Sequence, residues 1–228
     1  MDTVLAEFHD VLADFDSSLP MRRIASGEIT INHYKEILRQ IFHHARENPQ
    51  IQALATIYFR GEQRRMIKDF YRHAISEIGH DQLALNDLKT LGETIDLIPY
   101  ENPLPATTAL LSFAFYQIYN LNPIGYLGYL FFLEFTPTKK GGSYMDFLKK
   151  IGVPHEAMSF LEDHSAIDVG HNKLMESYIS ELVKTQKDLD SVIYAMQVTG
   201  KLYSDMLQGA FEQADHSKPR SLSSCETN

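Results

Sequence analysis

Cysteine is almost absent from this chain, since only Cys225 among the 228 residues is a cysteine. Because a disulfide bond needs two cysteines, an intramolecular one is excluded. Cys225 itself lies in a polar C-terminal segment. A chain without disulfides fits a reducing compartment, and we therefore expect a cytoplasmic protein. The stretch from Met1 to Asp16 carries acidic residues and no apolar signal-peptide core, which predicts that no secretion signal is present.

Positive charge and long apolar runs are also scarce. The 21 basic residues stand against 30 acidic residues, giving a net charge of −9. This balance argues against a nucleic-acid partner and against an anionic membrane surface. The longest apolar run, from about Ile124 to Phe135, is shorter than the roughly 20 residues that span a bilayer. We therefore predict neither a nucleic-acid partner nor a membrane partner.

Strand signals are few, and helical periodicity dominates the sequence. The first helical stripe is formed by apolar residues spaced three and four apart, namely Val4, Phe8, Val11, Leu12 and Phe15. The length suits one large domain. We predict an all-α fold, a single bundle of about seven main helices over residues 1–215, followed by a disordered polar tail at 216–228.

Prolines and glycines divide the helical pattern. Thr30 is an N-cap candidate for a helix that Pro49 should kink or end. Later boundaries follow from Gly92, from the proline-rich connection after residue 98 and from Gly141. We expect later helices over about 63–91, 105–119, 123–135, 143–151, 154–184 and 189–214.

Two short motifs carry residues that bind metals in proteins. Glu77 and His80 form an E-x-x-H pair, and His164, Asp168 and His171 form an H-x-x-x-D-x-x-H triplet. On an α-helix, residues three, four and seven apart share one face. Each motif should therefore point its side chains in one direction. Taken alone, the pair also fits ordinary surface residues, and the triplet also fits a solvated or hydrogen-bonded helix face.

A third element is Glu134, the only charged residue from Asn102 to Thr138. Aromatic residues surround it in the sequence, so we expect its carboxylate to be buried. An isolated buried carboxylate is costly unless it is paired or bound to a metal. The alternative is a hydrogen-bonded carboxyl group whose pKa is raised by burial.

Together the six residues supply three imidazoles and three carboxylates, which is enough to hold two non-haem iron ions. Paired carboxylate and histidine ligands on facing helices are a device of helical di-iron proteins. Mixed nitrogen and oxygen ligation with open positions suits Fe(II) and O₂ chemistry. The sequence therefore indicates a metal-dependent oxidoreductase.

Four further residues are candidates for binding the substrate or supporting the ligands. His73 lies four residues before Glu77 and is either an additional ligand, a neighbour of the ligands or a partly exposed histidine. Arg46 either anchors a substrate carboxylate in a bidentate pair or forms a surface salt bridge. Tyr126 and Tyr129 either shape a pocket, helped by the glycines beside them, or belong to the core.

At these six motif residues, and over about 34–214, the chain resembles the haem-oxygenase-like di-iron oxidase and oxygenase family. The resemblance implies a seven-helix bundle without haem, two Fe(II) ions and O₂ as a cosubstrate. The implied metal ligands are Glu77, His80, Glu134, His164, Asp168 and His171. The close Glu-x-x-His spacing is similar to that of members which convert fatty acids into terminal alkenes, whereas other members space this pair more widely.

The resemblance implies an O₂-dependent enzyme of specialised biosynthesis that acts on a small carboxylate-bearing molecule. By frequency in the family, we expect an amino acid, for instance an aromatic one such as a halogenated tryptophan that becomes a nitrile. The alternative is a fatty acid that loses its carboxylate to give an alkene. The family is also compatible with a homodimer.

Other classes on related bundles fit less well. A thiamine-salvage-type or non-catalytic helical protein would need a cysteine inside the fold, and Cys225 is badly placed for that role. A haem-degrading enzyme could use His9 or His33 but would leave Glu134 unexplained. A ferritin-like protein would have a carboxylate where this chain has His164.

Overall fold

The computed structural model describes residues 1–166 and 168–216, except for the side chains of residues 166–172. All regular structure in this part of the chain is helical, with eleven α-helices and no strand. The helices are α1 (Asp2–Ser17), α2 (Leu19–Ser26), α3 (Ile31–Ala45), α4 (Asn48–Ala55), α5 (Ile67–Ser76), α6 (His80–Thr90), α7 (Pro105–Asn120), α8 (Tyr126–Lys150), α9 (Ser159–Ala166), α10 (Asp168–Leu182) and α11 (Gln186–His216).

The all-α prediction is confirmed, but the described helices outnumber the seven that were expected. Three of them, α2, α4 and α9, have only 8 residues each. The predicted tail, with Cys225, lies almost wholly outside the described residues, so its disorder stays a prediction. Among the described residues, no helix combines the length and apolar character that crossing a membrane requires.

Helix α11 lies at the centre of the bundle and packs against α1, α3, α7 and α8. Its contact with α8 depends on Gly128, because a Cβ atom there would overlap the carbonyl oxygen of Val192. A Cβ at that position would also lie 2.7 Å from the backbone nitrogen of Met196. The glycine therefore serves the close approach of two helices.

Helix α8 continues through a region where the sequence predicted a loop. Pro137 and two glycines were expected to separate a helix at 123–135 from one at 143–151, but α8 runs unbroken from Tyr126 to Lys150. Proline removes one helical hydrogen bond and costs about 3 kcal/mol inside a helix. Packing offsets this cost, since Gly141 faces α9 so closely that a Cβ would overlap Ser165 Oγ.

The expected helix at 63–91 is interrupted in its middle. Helix α5 ends at Ser76, and α6 begins at His80, so Glu77 and His80 do not share one continuous helix. The cause is Gly79, whose φ of 102° lies in the left-handed region that glycine adopts at little cost. The break places Glu77 at the end of one helix and His80 at the start of the next.

Two apolar clusters stabilise the bundle. The larger includes the buried faces of α1, α7, α8, α10 and α11, and the smaller joins α3, α6 and the segment that leads into α9. The stripe predicted from Val4 to Phe15 belongs to the larger cluster, and its residues are buried as expected. Four of the six predicted metal ligands, Glu77, His80, Glu134 and His164, lie where α5, α6, α8 and α9 meet.

Candidate metal centre

The break between α5 and α6 brings the first motif pair together without a shared helix. The amide of His80 donates to the carbonyl oxygen of Glu77 at 3.3 Å, which closes a turn around Gly79. Within this turn, Nδ1 of His80 lies 3.0 Å from Oε2 of Glu77. A turn and a helix both place residues i and i+3 side by side, so the pair meets although the expected helix is absent.

The first group of metal-compatible donors consists of Glu77, His80 and His164, whose ligand atoms all lie within 4.8 Å of one another. The ring of His164, from α9, lies with its centroid 4.7 Å from that of His80. Asp163 also approaches this group, with Oδ2 at 3.4 Å from Nε2 of His80. Two imidazoles and a carboxylate from three elements thus face one small volume.

The second group consists of His73, Glu77 and Glu134, again within 4.8 Å of one another. Nε2 of His73 lies 3.2 Å from Oε1 of Glu134 and 3.7 Å from Oε1 of Glu77. The side chain of His73 is fully buried, and that of Glu134 is only 13% exposed. The carboxylate of Glu134 therefore lies in the interior beside an imidazole, as the aromatic surroundings in the sequence indicated.

Glu77 belongs to both groups, and each of its two carboxylate oxygens faces a different group. Oε2 faces His80 in the first group, whereas Oε1 faces His73 in the second. A carboxylate in this position is able to bridge two cations, with one oxygen toward each. This shared residue is the central geometric feature of the site.

The protonation of the histidines follows from their neighbours. Nδ1 of His164 donates to the carbonyl oxygen of Phe160 at 2.8 Å, which leaves Nε2 as the acceptor nitrogen that a metal requires. Burial and the neighbouring His80 lower the pKa of His164, so its ring is held neutral. For His80, burial acts to lower the pKa, but the hydrogen bond and charge of Glu77 outweigh it and raise the pKa.

The remaining predicted residues lie in different places. The side chains of Asp168 and His171 are outside the described residues, although both positions belong to α10. Arg46 pairs with Glu47 at 3.0 Å and donates to the carbonyl oxygen of Pro99 at 3.1 Å, at the surface. Arg46 also lines a cavity of about 510 Å³ together with Ile78 and Gly79, which belong to the turn between Glu77 and His80. Its role as a substrate anchor stays a prediction.

Tyr126 and Tyr129 are both buried in the core of the bundle. The hydroxyl of Tyr129 donates to Oδ1 of Asn48 at 2.9 Å and lies 2.8 Å from Nε2 of His44. The charges of Glu134 and Glu77 are near enough to Tyr126 to contribute to its raised pKa, after burial and Tyr129. Tyr126 is therefore within electrostatic range of two candidate ligands, and Tyr129 is held in a hydrogen-bonded network.

Sequence reasoning missed three features of the site. Gly79 carried a usable signal, because a glycine after a helical run marks a helix end. Asp163 carried none, because nothing in the sequence separates it from the adjacent Glu162 as a neighbour of His80. The position of His73 between Glu77 and Glu134 depends on the contact between α5 and α8, which sequence spacing does not specify.

An apolar cavity of about 100 Å³ lies beside the candidate metal centre. Its lining comes from α1, α2, α3, α8, α9 and α11 and includes no charged side chain among the described residues. Phe160 belongs to this lining, and its ring stacks on that of His164 with centroids 4.0 Å apart. One aromatic ring thus stands between the cavity and a histidine of the first group.

We expect acid to destabilise the metal-free protein through His44. Burial, together with His164, lowers the pKa of His44 to about 4, below the 6.5 of an unperturbed histidine. The unfolded chain therefore binds this proton more readily, and stability falls as the pH drops from about 6.5 to about 4. The contribution of this one residue is about 3 kcal/mol at most.

Urea unfolding of the metal-free protein near pH 7 and near pH 4.5 measures this effect. In His44→Gln, which retains a group able to hydrogen-bond Tyr129, we expect a smaller loss of stability between the two pH values. The pKa of His43 is also lowered to about 4, but His43 is present in both proteins. The difference between their losses of stability therefore reports His44 alone. An equal loss in both proteins would contradict the assignment.

Comparison with known proteins identifies the family. Residues 35–204 match the family of iron-containing redox enzymes. A crystal structure of a domain of unknown function with a heme oxygenase-like fold, from Shewanella denitrificans OS217, is 26% identical with a TM-score of 0.78, covering 94% of this chain and 91% of that chain.

A TenA homologue protein from P. horikoshii OT3 has the same fold, with 14% identity, a TM-score of 0.70, and coverage of 92% of this chain and 97% of that chain. No curated protein matches significantly. The haem-oxygenase-like fold expected from the sequence is therefore confirmed. Because the match covers most of its length, the chain belongs to the iron-containing redox enzyme family.

Proposed function

We propose that this protein is a non-haem di-iron oxidoreductase that uses O₂ to oxidise a small molecule. The observation that carries the proposal is the position of Glu77, whose two oxygens face two separate groups of donors. Membership of an iron-containing family supports iron as the metal. Two neighbouring positions that share one carboxylate support a pair of ions.

The residues present fit such a pair of ions. Each group offers nitrogen and oxygen donors from at least one histidine and one carboxylate, the mixture that suits Fe(II) with open positions. His164 also has its Nδ1 proton fixed on a carbonyl oxygen, which is the usual support of a metal-binding histidine. When bound, the iron would supply the electrons and coordination sites for O₂ activation.

Within this proposal the residues have separate tasks. His80 and His164 supply the nitrogens at the first position, and Glu134 with His73 defines the second. Glu77 would be a ligand at both positions. Asp168 and His171 are further ligands by resemblance to the family pattern. The surrounding aromatic residues would limit the access of water to the centre.

The apolar cavity bears on the substrate. An amino acid brings an ammonium and a carboxylate group, and each needs a polar or charged partner when it is buried. The cavity offers no charged partner among the described residues. It therefore favours a molecule that buries a small apolar group there and keeps its polar end outside the cavity, such as a short alkyl carboxylate, over the amino acid that we expected from the sequence.

Thr136 adds one polar feature to this apolar lining. Its hydroxyl is buried and has no hydrogen-bond partner among the described residues. It lies on α8 two positions after Glu134, about 200° around the helix, so the two side chains point to different sides of α8. The hydroxyl is thus available to hydrogen-bond a polar group of a molecule inside the cavity.

Anaerobic titration of the metal-free protein with Fe(II), followed by mixing with O₂, tests the proposal. We expect about two Fe(II) ions per chain, and substrate-dependent consumption of O₂ with a panel of alkyl carboxylates of graded length. Aromatic and aliphatic amino acids serve as the competing panel. Binding of no Fe(II), or a haem absorption band in the active protein, would contradict the proposed centre.

A cavity-filling variant tests the substrate class. In Ile24→Trp, the indole ring should occupy part of the cavity and lower kcat/KM for the longest substrate. Each methylene group that is excluded from the cavity should lower kcat/KM by roughly tenfold or more. Iron binding should not change. Ile57→Trp places the same residue at a half-exposed position outside the cavity and is the control. Equal substrate preference in both variants would argue against the cavity as the binding site.

A further inference from the structure

Asp87 is a fully buried carboxylate that lies outside both groups of metal-compatible donors. It belongs to α6, the helix that begins at His80. Its Oδ1 accepts from the backbone nitrogen of Ser159 at 3.0 Å and from Ser159 Oγ at 2.6 Å. Its Oδ2 accepts from the backbone nitrogen of Phe160 at 3.0 Å. Both oxygens are therefore directed at one point of another helix.

That point is the first turn of α9, which begins at Ser159. The first amides of a helix have no partner within the helix and need an acceptor from elsewhere. Met158 precedes α9 and has no side-chain oxygen that could supply it. Asp87 belongs to a different helix but accepts these amide hydrogen bonds, and so it caps the N-terminus of α9. Its negative charge also suits the positive end of the helix dipole.

This contact leads directly to the first group of donors. The carbonyl oxygen of Phe160, whose amide donates to Asp87, accepts the Nδ1 proton of His164. The ring of Phe160 also stacks on that of His164 at 4.0 Å. At the other end, Asp87 lies seven residues after His80, which is two turns along the same face of α6. One carboxylate thus joins the helices that carry His80 and His164.

We propose that Asp87 is a positioning residue that holds His164 in register with His80 and selectively sets the metal affinity of the first position. The proposal rests on the proposed di-iron function. Its selectivity follows from the geometry, since His73 and Glu134 come from α5 and α8, whereas the described hydrogen bonds of Asp87 all go to α9. Loss of Asp87 should weaken the position formed by Glu77, His80 and His164 and leave the second position intact.

The experiment is anaerobic titration of the full-length protein with Fe(II), repeated with Co(II), whose absorption reports histidine ligation. For Asp87→Asn we expect one ion bound as in the native protein and the other weakened by about tenfold to a hundredfold, the usual effect of removing support from a ligand. Ser159→Ala removes one of the three hydrogen bonds and should weaken the same ion less. This milder variant preserves the test if Asp87→Asn does not fold.

Asp188→Asn is a matched control for lost helix capping. Asp188 accepts from the backbone nitrogens of Lys184 and Thr185 and from the Thr185 hydroxyl at the start of α11. This helix supplies no donor to either metal-compatible group. We expect this variant to lower the melting temperature and to bind both ions normally. The proposal is overturned if Asp87→Asn binds both ions with native affinity, or if Asp188→Asn loses the same ion.

Nitrogen-15 spectra of the histidines in the metal-free protein provide a second measurement. In the native protein, His164 should carry its proton on Nδ1, and Asp87→Asn should mix the two tautomers. An unchanged tautomer in Asp87→Asn would overturn the positioning role. If the native protein binds no metal, the di-iron function fails, and the spectrum still decides whether Asp87 positions His164.

Discussion

Replacing Glu77 with alanine is expected to remove both iron ions, reducing binding from about two per chain to almost none. The residue contributes one oxygen to each group of donors, so a single truncation leaves each position with only two of its three described ligands. It also leaves His80 without the carboxylate that pairs with it at 3.0 Å. No other described residue belongs to both groups.

Glu134→Ala is the informative comparison, because Glu134 belongs only to the second group. We expect this variant to retain one ion and to lose O₂-dependent turnover. Glu62→Ala, which removes an equal charge from an exposed position, is the control for electrostatic effects and should bind both ions. Titration with Fe(II) under anaerobic conditions distinguishes the three. Retention of two ions by Glu77→Ala would exclude the bridging arrangement.

Gly128→Ala is expected to destabilise the protein by about 3 kcal/mol or more, at the upper end of the usual cost of overpacking. The added methyl group would overlap the carbonyl oxygen of Val192 and approach Met196 N at 2.7 Å. Both are backbone atoms of α11, which cannot rotate away as a side chain can. Relief therefore requires α8 and α11 to separate, and these helices form the centre of the bundle.

Gly142→Ala is the matched control on the same helix. A Cβ at this exposed position would meet nothing within 4 Å, and alanine favours the helix over glycine by up to about 1 kcal/mol. We therefore expect a small gain in stability from Gly142→Ala against a large loss from Gly128→Ala. Urea unfolding of the metal-free proteins measures both. Equal stabilities of the two variants would show that α8 and α11 are not packed this closely.

The sequence predicted those parts of the fold that depend on local spacing. The apolar stripe of α1 and the boundaries of α7 and α11 follow from periodicity and from prolines. Local spacing did not predict that α8 continues through Pro137. Packing of Gly141 against α9 outweighs the free energy that Pro137 costs inside the helix. Local rules identify residues that weaken a helix, but only the contacts of the folded chain decide whether the helix ends there.

The candidate site was predictable in part for a similar reason. Glu134 stood out because a charge is rare in an aromatic segment, and the structure does bring it near Glu77 through His73. The contact of His73 with both carboxylates depends on how α5 meets α8. The apolar cavity depends on six helices at once. Neither arrangement has a signature within a short stretch of sequence.

The break at Gly79 has a consequence for how such a site diversifies. Were Glu77 and His80 on one unbroken helix, extra residues between them would rotate every later side chain by about 100° each. Here His80 is the first residue of a separate helix, which packs through its own contacts. The spacing between Glu77 and His80 is therefore set by the length of a turn and not by the rotation of a helix. Loops tolerate insertions at little cost. A longer turn between this glutamate and histidine could therefore keep both side chains at the proposed metal positions.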